Sequence, residues 1–221
     1  AYPGTVLLPI VDPAAVEANL RRVEDADTEE TFSGRVNLAW QATDALDVNL
    51  TYYYQDQDVG ARTVNHVLAF GTDRYVSAHR FLEPNDLSNQ LLALELAWDL
   101  GFAELTSATG LAQFESEGQR DQTDLLMDFN YGYEDFPQFA AYTRETAEED
   151  NFSQELRLVS QGTQRWNWIA GAFYNKYEGD ASSAEFTPGI PEWFGFPPGT
   201  PDLEYLAESA ETFEETALFG E

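Results

Sequence analysis

Between residues 32 and 40 the even positions carry Phe32, Gly34, Val36, Leu38 and Trp40, and the odd ones carry Ser33, Arg35, Asn37 and Ala39. A period of two puts successive side chains on opposite faces of an extended strand. A polar break follows in which Thr43 and Asp44 favour a turn. The alternation then resumes, with Leu46, Val48, Leu50, Tyr52 and Tyr54 on one face and Asp47, Asn49, Thr51, Tyr53 and Gln55 on the other. This pair predicts a hairpin with a tight turn. A second hairpin opens with Leu92, Leu94, Leu96, Trp98 and Leu100 against Ala93, Glu95, Ala97 and Asp99. Its return, 103–115, is rich in Thr and Ala, and the pattern leaves its facing open. A third hairpin runs from Asn151 to Ser160, turns at 161–163 and returns from Arg165 to near Tyr177. It sets Leu156, Leu158, Trp166, Trp168, Ala170, Ala172 and Tyr174 outward, and a seventh strand starts near Thr212.

Connections inside the hairpins are short, whereas those between hairpins, near 56–86, 116–150 and 179–210, run to roughly thirty residues each, against roughly 4–6 in compact soluble domains. Short turns alternating with long loops are the pattern of an outer-membrane β-barrel. Leu46 to Tyr54 is about nine residues, the span a tilted strand needs to cross the hydrocarbon layer. Trp40, Trp98, Trp166 and Trp168 lie near short turns, and Tyr54 and Tyr174 lie at the opposite ends of their strands. Aromatic rings at both margins of an apolar band are what a membrane interface selects.

The expected fold class is therefore all-β. It is an antiparallel up-and-down meander of six strands and part of a seventh, a partial, open segment of a transmembrane barrel with long extracellular loops. Val36, Leu38, Val48, Leu50, Leu94, Leu96 and Ala170 are expected on the lipid side, with Leu96 exposed in the bare sheet. Arg35, Asn37, Asp47, Asn49, Glu95, Glu155 and Arg157 are expected in the lumen. A soluble acidic β-sandwich acting as a binding module also fits the alternation, with the aromatics as its core. The charged second face suits a wet lumen better. Residues 1–30 read as a loop with a marginal helix from Asp12-Pro13 to about Arg22, and 31–221 as the barrel portion. The chain opens Ala-Tyr-Pro-Gly and stops at Phe219-Gly220-Glu221 inside a periodic stretch, which gives the expectation of a piece of a longer protein.

Composition then removes several functions. The 221 residues carry 11 basic and 40 acidic side chains, a net charge of −29. Nucleic-acid binding and polybasic contact with anionic lipid both need the opposite sign. Apolar residues at 43% and aromatics at 14% are too many for a disordered acidic chain. With no cysteine and two histidines, the chain offers no thiolate chemistry and little for a histidine metal centre. No catalytic residue, cofactor site or metal site stands out. Asp56-Gln-Asp58-Val-Gly60 shares only the opening of a calcium loop. Tyr131, Tyr133, Trp193 and Phe194 fall in long loops, where exposed aromatics can contact a ligand as readily as they pack on neighbouring loops. Residues 121–150 hold nine acidic side chains against one Arg, and 181–206 hold four with no basic one. A field of that sign disfavours anionic ligands, so a neutral or cationic one is expected.

Phe152-Ser-Gln-Glu-Leu-Arg-Leu-Val-Ser160, Trp168-Ile-Ala-Gly-Ala-Phe-Tyr174 and Thr216-Ala-Leu-Phe-Gly-Glu221 resemble the mid-barrel of TonB-dependent outer-membrane receptors. Arg35-Val-Asn-Leu-Ala-Trp40 with Asp44-Ala-Leu-Asp-Val48, and Leu96-Ala-Trp-Asp-Leu-Gly101 with Leu105-Thr-Ser107, resemble the segments just upstream, in the same order. The resemblance covers roughly 30–221. It implies a Gram-negative outer membrane, a barrel of about 22 strands closed by a plug, and import of a ferric siderophore, cobalamin or a sugar. It further implies lipid as a partner and energy from the TonB complex acting through a plug that lies outside this sequence. A passive porin-type barrel is the neighbouring alternative.

Overall fold

The computed structural model describes residues 21–72, 74–128, 140–162 and 166–221. Seven strands make up almost all of it: β1 (Glu29–Thr43), β2 (Leu46–Val59), β3 (Asn85–Asp99), β4 (Ala103–Asp121), β5 (Tyr142–Ser160), β6 (Ile169–Phe186) and β7 (Leu203–Gly220). Three short helical turns, α1 (Val67–Phe70), α2 (Thr123–Asp128) and α3 (Ile190–Trp193), sit in the longer connections. The strands form one sheet in the order β1 to β7, every neighbouring pair antiparallel. This is the expected open meander. A sandwich needs two sheets packed face to face, and all the described strands belong to one sheet, which overturns that alternative.

Register settles which side chains share a face, because directly paired residues point the same way. Leu38 pairs with Leu50 and Leu50 with Leu94, while Trp40 pairs with Val48 and Val48 with Leu96. Ala170 joins them through Leu158, Leu105 and Trp98. The opposite face carries Arg35 against Tyr53, Asn37 against Thr51, and Asn49 against Glu95, which continues through Ala108 to Glu155. Asp47 reaches Arg157 through Ala97 and Thr106. The two sets thus stand on opposite faces. In β4, whose facing the pattern left open, Leu105 and Leu111 lie with the apolar set and Ala112 and Phe114 with the polar one.

The polar face is the concave one. Ala112, Phe114, Ser116, Ala147, Glu149 and Asn151 are half-buried, whereas Gln113, Glu115, Glu117, Glu148 and Asp150, alternating with them on the same strands, are exposed. On the convex side the edge strand leaves Val36 68% and Leu38 61% exposed. The buried apolar residues among those described are Ala61, Ala103, Leu126, Ala141 and Ile190, all in connections or at a strand end. An apolar surface this uncovered is suited to a solvent other than water. Leu96, expected exposed, is half-buried. It lies between Val48 and Ser107 on the adjacent strands, which cover its flanks.

The strands run 14 to 19 residues, well beyond the nine or so that the alternation marks. Residues 116–121, 142–150, 179–186 and 203–210, expected in loops, are strand, and the connections shrink to 60–84, 122–141 and 187–202. Over 116–121 and 142–150 both faces are polar, so hydrophobic alternation disappears although the hydrogen-bonded ladder continues. At the other end β6 starts at Ile169, so Trp166 and Trp168 belong to the turn rather than to the strand.

The upper margin of the apolar band is slanted. It follows Phe32, Tyr54, Leu92, Leu111, Phe152, Tyr174 and Leu218 from β1 to β7. Within the hydrogen-bonded rows, however, Tyr54 is opposite Gln90 and Phe152 is opposite Lys176. Strands tilted by roughly 35–45° to a membrane normal produce such a slant. Rings meet along it, Phe32 to Tyr54 at 6.3 Å and Phe152 to Tyr174 at 6.0 Å between centroids. Tyr54 and Tyr174 therefore end the apolar run and not, as expected, the strand.

Candidate functional site

The concave face begins, near the short turns, as a polar ladder. The Asn37 amide donates to Asn49 Oδ1 at 2.6 Å and to Thr51 Oγ1 at 2.8 Å, and the Asn49 amide donates to Glu95 Oε2 at 3.1 Å. Side chains that satisfy one another across strands hold a hydrated wall in a fixed arrangement. Higher up, level with the margin of the apolar band, Tyr53, Phe114 and Tyr177 line a hollow of about 620 Å³ with Gln55, Asn89, Glu149 and Asn151. A second hollow of about 530 Å³ lies nearer the long connections, over small residues such as Ala147, Ala181 and Ser183 and beside Arg62, Arg120 and Glu145.

Its rim is built by the connection between β2 and β3. Glu83 is 1% exposed and takes both guanidinium arms of Arg62, Nε at 3.0 Å on Oε2 and Nη2 on Oε1. The Asp121 N–H donates to Glu83 at 3.0 Å, and the Asp121 carboxylate accepts from the backbone N–H groups of Arg80, Phe81 and Thr123. The Phe81 ring lies 4.6 Å from that of Tyr142, which stacks on Phe186 at 5.2 Å, with Arg144 over both. The β2–β3 connection is thereby fastened to β4 and β5. The Arg62 hydrogen bonds to Glu83 raise its pKa above the ordinary arginine value, so it stays charged.

On the convex face, polar side chains inside the apolar band satisfy one another. Thr109 Oγ1 donates to Gln154 Oε1 at 2.6 Å, and Gln154 Nε2 donates to Ser107 Oγ at 3.0 Å. Such closure is what a lipid-facing surface requires.

The residues singled out in the sequence are dispersed. Trp40 and Trp98 lie on the convex face near the short turns, 61% and 48% exposed. Trp166 and Trp168 flank the same end from the β5–β6 turn. Trp193 closes α3 and Phe194 follows it, both exposed. Tyr131 and Tyr133 lie outside the described residues, as does the expected N-terminal helix up to residue 20. Glu148, Glu149 and Asp150, counted among loop charges, are in β5, and of the three Glu149 faces the hollow. Neither the Arg62–Glu83–Asp121 network nor the Tyr53–Phe114–Tyr177 group is legible in the chain, because their members lie far apart in sequence. Among the described residues no group of three or more His, Asp or Glu side chains is placed to hold a metal ion.

A single antiparallel meander, apolar on its convex face and polar on its concave one, defines the fold as that of an open outer-membrane-barrel segment. No protein-family model matches the chain, and none of the curated proteins does. Among solved structures it is similar to the ferric citrate transporter FecA in the unliganded form, with a TM-score of 0.54 and 10% identity over 89% of this chain and 31% of that one. BauA, the ferric preacinetobactin receptor from Acinetobacter baumannii, aligns over 89% of this chain and 30% of its own, at 10% identity and a TM-score of 0.46. The chain spans about a third of the length of these two proteins. At 10% identity the likeness to FecA is one of fold.

Proposed function

We propose that the chain is a barrel segment of an outer-membrane TonB-dependent transporter that imports a scarce nutrient. The observation that carries this reading is the two-faced meander, an apolar convex band bounded by rings over a polar concave wall. The fold likeness to a ferric citrate transporter and the motif resemblance support it. In this reading the convex face meets outer-membrane lipid and the concave face lines the lumen. The connections 60–84, 122–141 and 187–202 lie outside the cell, where Trp193 and Phe194, with Tyr131 and Tyr133, offer first contact to a ligand. The plug and the TonB contact lie in parts of the receptor outside this sequence.

The cargo in this reading is neutral or cationic, since the strand extensions and connections carry a large acidic excess. The test is uptake by cells carrying the full-length receptor. Maltotriose, a neutral ferric trihydroxamate and ferric citrate are supplied side by side, with and without an inner-membrane proton gradient. Uptake of a neutral probe that stops when the gradient is dissipated is the expected result. Uptake that persists unchanged would instead indicate a passive pore.

A further inference from the structure

We propose that the concave hollow over Tyr53, Phe114 and Tyr177 is a binding platform for neutral saccharides. The proposal rests on the reading of this face as a lumen and names the ligand chemistry that its wall selects. The three rings come from β2, β4 and β6 and converge on one hollow of about 620 Å³, within the usual size of a small-molecule site. Tyr177 lies down on the sheet because residue 179 is glycine. A Cβ at Gly179 would stand 2.6 Å from the Tyr177 hydroxyl oxygen and 3.0 Å from Cζ. Gly179 is buried, and the Tyr177 ring lies over it from Cε1 to the hydroxyl. That contact seats the ring against the sheet before any ligand arrives.

Around the rings the polar groups are planar. Gln55, Asn89 and Asn151 offer amides and Glu149 a carboxylate, and Tyr53 donates its hydroxyl to Gln55. An amide presents a donor and an acceptor side by side, which matches the neighbouring hydroxyls of a pyranose ring. The apolar C–H face of the sugar then stacks on an aromatic face, which is apolar in body and polar only at its tip. No Lys, Arg or His lines this hollow. An anionic ligand would meet Glu149 there without a lining cation to offset it, whereas a neutral polyol brings no charge of its own.

The test uses the full-length receptor purified in detergent, titrated calorimetrically with maltotriose, cellotriose and xylotriose. At least one is expected to bind, and Tyr177→Ala or Phe114→Ala should weaken that binding by about tenfold or more, the scale of losing one aromatic anchor. Tyr177→Phe should retain most of it. Gly179→Ala keeps the ring but lifts it off the sheet, and should weaken binding like Tyr177→Ala. Glu215→Gln, on the same face in the row of Asn37 and Asn175, should leave it unchanged. If Tyr177→Ala fails to fold, as read from the heat-dependent gel mobility of the barrel, Tyr177→Phe and Gly179→Ala decide. Binding of none of the three sugars, or binding indifferent to Tyr177 and Gly179, overturns the proposal. Sugar binding that depends on Tyr177 without gradient-driven uptake would uphold the platform and defeat the transporter reading. Gradient-driven uptake with no sugar binding would do the reverse.

Discussion

Arg62 and Glu83, twenty-one positions apart, form a two-armed ion pair in which the carboxylate is 1% exposed and the guanidinium 46%. The pair closes the β2–β3 connection onto the Asp121 backbone. Removing the carboxylate with Glu83→Ala leaves Arg62 and the Asp121 N–H without their acceptor. Hydrogen exchange at the Asp121 amide should then accelerate by the equivalent of about 1–3 kcal/mol of local opening. Exchange at β1–β2 amides should not change, and equal acceleration there would mean that the pair supports the whole sheet.

The same pair sets an expectation for pH. The folded-state pKa of Arg62 is raised, first by its hydrogen bond to Glu83. A base whose pKa is raised on folding contributes in full below its unfolded value and loses that contribution only as pH climbs through the folded one. For arginine both lie far on the alkaline side of neutrality. Asp121 protection, corrected for intrinsic exchange, should therefore hold from neutrality to about pH 10. A decline across that window would assign the clamp to a group other than Arg62.

Leu94 sits in the middle of the convex band, with Leu50 on one side and Thr109 on the other, while its neighbour Glu95 faces the concave wall. Leu94→Arg should destabilise the full barrel in lipid vesicles by about 2–4 kcal/mol in a urea titration, as a cation at mid-bilayer depth does. Glu95→Gln should cost about 1 kcal/mol or less, because it keeps an acceptor for Asn49. Equal costs would show that neither face meets lipid.

Gln154 accepts from Thr109 and donates to Ser107 within the apolar band. Gln154→Ala alone strands two hydroxyls and should cost about 1 kcal/mol in vesicles. The triple change Ser107→Ala, Thr109→Val, Gln154→Leu removes all three partners together and should be neutral or stabilising there. A triple variant less stable in vesicles than Gln154→Ala would place this patch in water.

Trp40 and Trp98 are proposed at the membrane interface, whereas Trp166 is 79% exposed in a turn. In single-tryptophan variants of the full receptor, shallow brominated lipids should quench Trp40 and Trp98, and aqueous iodide should quench Trp166. Reversal of that order would remove Trp40 and Trp98 from the girdle.

Alternation at Val36–Trp40, Leu46–Tyr54 and Leu92–Trp98 determined by itself the strands, their facing and the hairpins, since period two is a local property of the chain. The strand extensions were not legible. Between Glu115 and Asp121, and between Tyr142 and Asp150, polar residues occupy both faces, and only pairing of Glu115 with Glu148 and of Asp121 with Tyr142 extends the ladder. The slanted margin of the apolar band was half legible: Tyr54 and Tyr174 end their apolar runs in the sequence, but their offset across the sheet comes from register. What only the tertiary structure decided is the concave wall. Tyr53, Phe114 and Tyr177 converge, and Glu83 meets Arg62 and Asp121, because the curvature and register of the sheet and the path of one connection bring distant residues together. Hydrophobic periodicity reports which side of a strand a residue occupies, and carries no information about which residue of another strand will stand beside it.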